Sequence, residues 1–347
     1  MKICVITAGS WGSALAYLLA GNGHEVNLWF RDEEKARKAL RLGENSDYLP
    51  GIPIPKGVNI FWSEEEAAAS CEVFVQGAPS HSVRNTLEKF KPFIPGSAAI
   101  VNASKGLEES SAKRLSEVIE EVLPGRPLAT LSGPTHAEEV ALKIPTAIVA
   151  ASKDLTTAEF VQDVFMSEHF RVYTSDDIIG VEIGGAIKNV IALAAGVSDG
   201  IGGGDNSKAA LMTRGIREIS ALGVAMGARA DTFNGLTGIG DLIVTCTSAH
   251  SRNRRVGLLL GQGKRLDEVL SEVRMVAEGV NTTKTAVHLA EKYAVEAPIT
   301  TEVYKMLAEG KDPKKAVYDL MTRDKKKEDV ANSSCTCHEK EVCPGGA

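Results

Sequence analysis

A glycine-bearing turn near the start of the chain limits the fold more than any other feature. Lys2-Ile3-Cys4-Val5-Ile6 is a β-branched apolar run, Thr7-Ala8-Gly9-Ser10-Trp11-Gly12 follows at once, and an Ala/Leu-rich stretch at helical spacing comes next. In a strand, turn and helix of that order, Gly9 lets the backbone approach a pyrophosphate and Gly12 lets the helix pack tightly on the strand. The helix N-terminus then offers N–H groups and a partial positive charge to the phosphates. The turn reads as a dinucleotide site, with Trp11 between the two glycines as a wall for the nucleotide.

Two details bear on the grip of that site. Thr7 stands where a first glycine normally serves the tight turn, and a β-branched residue restricts the backbone there. We therefore expect a slightly redrawn turn or a lower coenzyme affinity. At the end of the second strand, where an acidic residue would take the ribose 2′-hydroxyl, stands Phe30-Arg31-Asp32. An arginine suits a 2′-phosphate, while Asp32 keeps the other coenzyme open, so both NADP(H) and NAD(H) are expected to be accepted.

At 347 residues the chain is too long for one ordinary core. Strands are expected over 2–6, 25–30, 58–61, 72–76, 98–102, 128–132 and 146–151, with helices between them over 11–21, 33–42, 83–90 and 111–123. That alternation implies βαβ units and a mostly parallel sheet. After about Asp176 the apolar spacing is helical throughout, over 179–197, 208–226, 252–261, 266–273, 282–293, 300–309 and 312–321. The expectation is an α/β Rossmann-type N-terminal domain over 1–178, an all-helical C-terminal domain over 179–325 that carries the catalytic groups, and an irregular Cys-containing tail over 326–347. The charge run 324–329 reads as a solvated end of the last helix.

Further segments set polar residues against glycines. They are Asn102-Ala103-Ser104-Lys105-Gly106-Leu107, Leu131-Ser132-Gly133-Pro134-Thr135-His136-Ala137 and Gly184-Gly185-Ala186-Ile187-Lys188-Asn189-Val190, then Thr237-Gly238-Ile239-Gly240-Asp241 with Ser251-Arg252-Asn253-Arg254-Arg255. Lys188 is a lone lysine among small and apolar residues. Ser251, Arg252 and Asn253 open a helix after a loop, where side chains and helix N-terminus can converge on one anion. Together these segments resemble the bacterial type of NAD(P)-dependent glycerol-3-phosphate dehydrogenase over about residues 2–325, with Tyr48-Leu49-Pro50-Gly51 and residues 204–210 as supporting stretches.

The resemblance implies hydride transfer between NAD(P)H and C2 of dihydroxyacetone phosphate, making glycerol 3-phosphate for phospholipid synthesis. It implies Lys188 as the general base, a role that needs a pKa lowered by burial or by neighbouring cations such as Lys105. Lys105, Gly133, Thr135, Lys188, Asp241, Ser251, Arg252 and Asn253 would hold the substrate, with Asp241 placing Lys188 or a substrate hydroxyl. Gly9, Ser10, Trp11, Gly12, Arg31, Lys105, Ala137, Arg252, Val276 and Glu278 would contact the coenzyme. It also implies a homodimer.

A net charge of −6, spread along the chain, argues against nucleic-acid binding. The first residues lack the pattern of a signal peptide, and the apolar run 183–197 is shorter than the roughly 20 residues a membrane span needs. A cytoplasmic protein acting on a small phosphorylated molecule is expected. Cys4, Cys71 and Cys246 read as reduced core thiols. His24, His81, His136, His169, His250 and His288 match no metal spacing and read as structural or surface residues, so no metal is expected in catalysis. Cys335, Cys337, His338 and Cys343 fit no structural zinc pattern. Two other readings are another 3-hydroxyacid-type dehydrogenase and a non-catalytic NAD(P)-sensing protein. A sensor has no need of a proton-transfer lysine.

Overall fold

The computed structural model of the chain describes residues 1–273 and 277–328. Its first part is an α/β unit. The strands are β1 (Lys2–Ile6), β2 (Glu25–Trp29), β3 (Val58–Phe61), β4 (Val73–Gln76), β5 (Ala99–Asn102), β6 (Leu128–Ser132), β7 (Thr146–Ala151) and β8 (Phe170–Ser175). They are joined through α1 (Ser10–Gly21), α2 (Glu33–Leu42), α3 (Glu64–Ala68), α4 (Val83–Phe90), α5 (Leu115–Val122), α6 (Ala137–Ala141) and α7 (Leu155–Phe165).

The strands form one sheet in the order β3-β2-β1-β4-β5-β6-β7-β8, parallel except where β7 runs against β6. Both faces are covered, which is why the strands read as continuous apolar runs. Ile3, Val5, Val26, Leu28 and Val75 fill the core on one face; Cys4, Ile6, Trp29 and Phe74 fill the core on the other. Strand order reverses between β1 and β4, and the crevice beyond the carboxyl ends at such a switch point is where open α/β sheets bind ligands.

Seven of the eight strands match the expectation within a residue at each end. β8 is an addition: Phe170 and Val172 are buried while Arg171 and Tyr173 are exposed, an alternation that suits a half-covered strand at the sheet edge. α3, α6 and α7 are likewise additions, the first two only five residues long.

Helices make up the remainder: α8 (Ile178–Gly200), α9 (Asp205–Ala225), α10 (Asp241–Thr247), α11 (Arg252–Gly261), α12 (Leu266–Glu272), α13 (Glu278–Lys292), α14 (Pro298–Ala308) and α15 (Pro313–Met321). α8 is the axis of this half. It is longer than its apolar run suggested, 23 residues, and by length and composition alone could cross a membrane, but 94% of its apolar window is buried inside the protein. Around it pack Leu222, Phe233, Leu242, Val256, Leu289 and Val303.

Glycines set how closely α8 and α11 cross. A Cβ on Gly196 would lie 2.0 Å from the Arg254 carbonyl oxygen, and one on Gly257 would lie 2.0 Å from that of Leu193. Only backbones without side chains at these points can approach so nearly. The contact brings Asn253, near the start of α11, against Asn189 on α8. At its other end α8 is tied to the α/β unit: Glu182, buried, accepts from Arg114 (2.7 Å), from the Ser116 N–H (2.8 Å) and from the Ser116 hydroxyl (2.6 Å).

α15 ends at Met321, and residues 324–328 are exposed, in keeping with a solvated end; Glu328 pairs with Arg214. Cys335, Cys337, His338 and Cys343 lie outside the described residues. Cys4, Cys71 and Cys246 are buried free thiols. Burial raises the Cys71 thiol to about 11 and the Cys246 thiol to about 12, so both stay protonated.

Candidate active site

One cleft of about 460 Å³ runs from the carboxyl ends of β1 and β2 to the walls of α8, α10 and α11. At one end lies the turn 7–12. Thr7 keeps the tight turn by taking φ = +95°, an outlier for a β-branched residue. Glycine is required five residues later: a Cβ on Gly12 would sit 1.9 Å from the Thr7 carbonyl oxygen. Gly12 therefore packs beneath the turn, while Gly9, Ser10 and Trp11 line the cleft. Trp11 is anchored by its indole N–H, which donates to the Ala103 carbonyl at 2.9 Å.

The turn fits a dinucleotide on observations of its own. Gly9, the residue before α1, puts no side-chain cap on the helix's first N–H groups. A Cβ on Gly9 would meet nothing within 4 Å, so the approach to this helix start is open. Thr7 Oγ1, beside the same cleft, is buried without a partner among the described residues.

At the other end stands a cluster of buried charge. Lys188, on α8, is 5% exposed, and Asp241, the first residue of α10, is 1% exposed. Lys188 Nζ donates to Asp241 Oδ1 and, at 2.9 Å, to the Thr245 hydroxyl one helical turn further on. Asp241 Oδ2 accepts from Lys105 Nζ at 2.9 Å. Lys105 Nζ also donates to the Gly133 carbonyl (2.7 Å) and to Thr135 Oγ1 (3.2 Å). One carboxylate thus serves two ammonium groups. Burial drives the Lys188 ammonium from its usual value down to about 7; Asp241 opposes that shift and Lys105 adds to it.

The sheet edge and the helices deliver these groups together. Lys105 follows β5, and Gly133 and Thr135 follow β6, all at carboxyl ends. A single π-helical turn, Leu236–Gly240, leads into α10 and presents Asp241; a Cβ on Gly238 would lie 2.0 Å from the Phe233 carbonyl oxygen, so that turn also depends on glycine. At the start of α11, Ser251 Oγ accepts from the Arg254 N–H at 3.2 Å and so caps the helix. Asn253 joins Asn189 to the Gly279 N–H, at 2.9 Å on each side. Between them Arg252 is exposed, lines the cleft and has no partner among the described residues.

Most residues expected at a site do line this cleft: Gly9, Ser10, Trp11, Arg31, Lys105, Thr135, Ala137, Lys188, Asp241, Arg252, Asn253 and Glu278. Gly133 reaches it only through its bond to Lys105, and Gly12 and Ser251 shape it from behind. Glu278 is engaged with Ser80, accepting from its N–H (3.1 Å) and its hydroxyl (2.5 Å). Val276 lies outside the described residues. Asn189 and Tyr48, which lie in the quoted segments without an assigned role, also face the cleft, as do Thr245 and Lys35.

Of the histidines, the exposed His81 and His250 and the half-buried His136 line the cleft. His136 Nε2 is buried without a partner among the described residues, its ring 5.6 Å from that of His250, and burial, then the Lys188 charge, hold it below the usual histidine range. Its place one residue after Thr135 could have marked it. Among the described residues no group of His, Cys, Asp or Glu could hold a metal ion.

Comparison with known proteins gives a consistent match over both halves. Residues 2–158 match the model of the NAD-dependent glycerol-3-phosphate dehydrogenase N-terminus and residues 177–318 that of its C-terminus. A glycerol-3-phosphate dehydrogenase [NAD(P)+] from Thermoanaerobacter is 52% identical, with 94% of this chain and 99% of that one covered. One from Lysinibacillus sphaericus is 52% identical over 94% of this chain and 98% of its own. The crystal structure of glycerol-3-phosphate dehydrogenase from Coxiella burnetii superposes with a TM-score of 0.90 at 37% identity, covering 93% of this chain and 99% of that one.

Proposed function

The chain belongs to the NAD-dependent glycerol-3-phosphate dehydrogenase family, and we propose that Lys188 moves the proton that accompanies hydride transfer at C2 of its phosphorylated substrate. The reaction is the NAD(P)-dependent interconversion of dihydroxyacetone phosphate and glycerol 3-phosphate. The observation that supports Lys188 most is its position: a buried ammonium, bridged to Asp241 and Thr245, in the same cleft as the dinucleotide turn.

When bound, the nicotinamide coenzyme is the source of, or the sink for, the hydride at C2. In reduction, Lys188 as ammonium gives a proton to the developing alkoxide at C2; in oxidation, Lys188 as neutral amine takes the hydroxyl proton. A pKa of about 7 keeps both forms populated near neutrality, where acid–base catalysis is most effective. Asp241 holds Lys188 in place and, shared with Lys105, prevents two cations from facing each other unscreened. Lys105, Gly133 and Thr135 bind the substrate beside them.

For the substrate phosphate, Arg252 is a cation with no partner among the described residues. Ser251 and Asn253 act by fixing the helix start that presents it. Gly9, Ser10, Trp11, Gly12, Arg31, Ala137, Val276 and Glu278 belong to the coenzyme side. In this reading residues 1–178 form the coenzyme domain and 179–325 the substrate domain. We also infer a cytoplasmic homodimer supplying glycerol 3-phosphate for phospholipid synthesis.

The test is NADPH or NADH oxidation with dihydroxyacetone phosphate. Wild type turns over, and Lys188→Ala loses on the order of 10²-fold or more in kcat with coenzyme binding retained. Normal turnover by the variant removes Lys188 from this role. Coenzyme binding without turnover by wild type makes the protein a sensor rather than an enzyme.

A further inference from the structure

The groups around Lys188 differ in the hydrogen bonding they have left to offer. Lys105 Nζ has its three N–H groups on protein oxygens, those of Gly133, Thr135 and Asp241, so it offers a substrate charge rather than a further hydrogen bond. Both Asp241 carboxylate oxygens are taken. The Thr245 hydroxyl accepts from Lys188 and donates to the Asp241 carbonyl at 2.6 Å. Lys188 spends two N–H groups, on Asp241 and Thr245, and keeps the third for the C2 oxygen.

His136 stands apart from this saturated cluster. It follows Thr135 directly and precedes α6, whose N-terminus its side chain does not cap. Its Nε2 is buried beside the cleft with no partner among the described residues. A buried ring nitrogen without a hydrogen bond is costly, and folded proteins rarely leave one so. The His136 ring meets that of His250 at 5.6 Å between centroids, tilted by 51°. His250 belongs to the opposite wall: its N–H donates to Ser248 Oγ at 3.1 Å, and it immediately precedes Ser251 and Arg252 at the start of α11. The two rings thus join the α/β wall of the cleft to the helical wall that carries Arg252.

Dihydroxyacetone phosphate brings three polar groups to the cleft. In the reading above, on which this inference rests, the C2 oxygen goes to Lys188 and the phosphate to Arg252, and the C1 hydroxyl is left without a partner. We propose that His136, held by His250 across the cleft, is the hydrogen-bond partner of that hydroxyl and sets specificity for a three-carbon phosphate that carries it. Neutral imidazole has one donor and one acceptor nitrogen, which matches a hydroxyl, itself able to give and to take. Burial, then the Lys188 ammonium, works against a positive charge on His136 by more than Glu139 and Glu138 restore. The ring therefore suits a neutral group better than the phosphate.

The test compares NADPH oxidation with dihydroxyacetone phosphate and with acetol phosphate, in which a methyl group replaces the C1 hydroxymethyl. The proteins are wild type, His136→Phe, His136→Gln and His250→Ala. In wild type kcat/KM favours dihydroxyacetone phosphate by about tenfold or more, because the analogue leaves a polar group of the site unpaired. His136→Phe loses about tenfold with dihydroxyacetone phosphate and stays within about twofold with acetol phosphate, which abolishes the preference. His136→Gln, whose amide gives and takes hydrogen bonds, recovers part of it. His250→Ala lowers the preference by a smaller factor, since His136 loses only its support.

Equal kcat/KM for the two substrates in wild type overturns the proposal, and that measurement needs no variant to fold. So does a His136→Phe loss of the same size with both substrates, which is what a merely structural residue would give, or a His136→Phe protein that keeps the wild-type preference. No turnover of dihydroxyacetone phosphate by folded wild type that binds NADPH overturns the activity itself, and this inference with it.

Discussion

The two ends of the cleft handle positive charge in opposite ways. Around Lys188 the cations are buried and answered: Asp241, 1% exposed, serves both Lys188 and Lys105. Arg31 and Arg252, by contrast, are exposed and without partners among the described residues. The difference follows from the work. Moving a proton near neutrality requires an amine whose charged form is made costly by burial, and that burial is tolerable only with a partner. Gripping a phosphate requires cations that hold no partner until the ligand comes.

The comparison breaks first at Lys188. Lys188→Ala removes the only buried acid–base group at that end that the mechanism uses, and kcat falls by about 10²-fold or more in a steady-state assay, with NADPH affinity little changed. A variant retaining wild-type kcat makes the buried cluster structural. Next comes the packing of α8 against α11, the helix that carries Arg252 at its start. Gly196→Ala places a methyl group 2.0 Å from the Arg254 carbonyl oxygen. Stability falls by about 1–3 kcal/mol in urea unfolding, as for other overpacked cores. Unchanged stability means that α8 and α11 can separate without cost.

The open cations should give smaller, ligand-specific effects. Arg252→Gln raises the KM for dihydroxyacetone phosphate about tenfold with a lesser change in kcat, since one charge-assisted contact to the phosphate is lost. An effect on kcat alone would move Arg252 to the chemistry. Smallest is Asp32→Ala, which removes the cap of α2 and lowers stability by about 1 kcal/mol, read as a modest drop in Tm. A larger change in coenzyme preference than in stability would make Asp32 a ligand after all.

What the sequence disclosed follows the same division. The strand–turn–helix around Gly9 and Gly12 was legible because its steric demands fall on consecutive residues. Lys188 was legible through the family resemblance, because a lone lysine in an apolar helix can also snorkel to the surface. Partners distant in sequence were not: nothing local joins Glu278 to Ser80, or Asn253 to Asn189 and Gly279. The Ser251 hydroxyl reads as a phosphate donor, and its oxygen also caps α11 by accepting from the Arg254 N–H, a partner that no local motif announces. β8 was missed although Phe170 and Val172 alternate with Arg171 and Tyr173, because an edge strand has only one buried face and so a shorter apolar run.

Thr7 shows the limit from the other side. Its β-branched side chain argued for a redrawn turn, yet the backbone takes φ = +95° there and Gly12 still packs beneath it. The strain is accepted locally, at a cost of order 1–3 kcal/mol, and the turn is preserved.

The central claim is that a buried, counter-charged Lys188 carries the proton, and its pH dependence tests that directly. Burial sets the Lys188 pKa at about 7, and reduction needs the ammonium while oxidation needs the amine. With NADPH and dihydroxyacetone phosphate, kcat/KM should fall about tenfold per pH unit above that value; with NADP+ and glycerol 3-phosphate, it should rise toward a plateau through the same midpoint. Profiles flat from pH 6 to 9 in both directions, or midpoints that stay in place in Asp241→Asn, would contradict it.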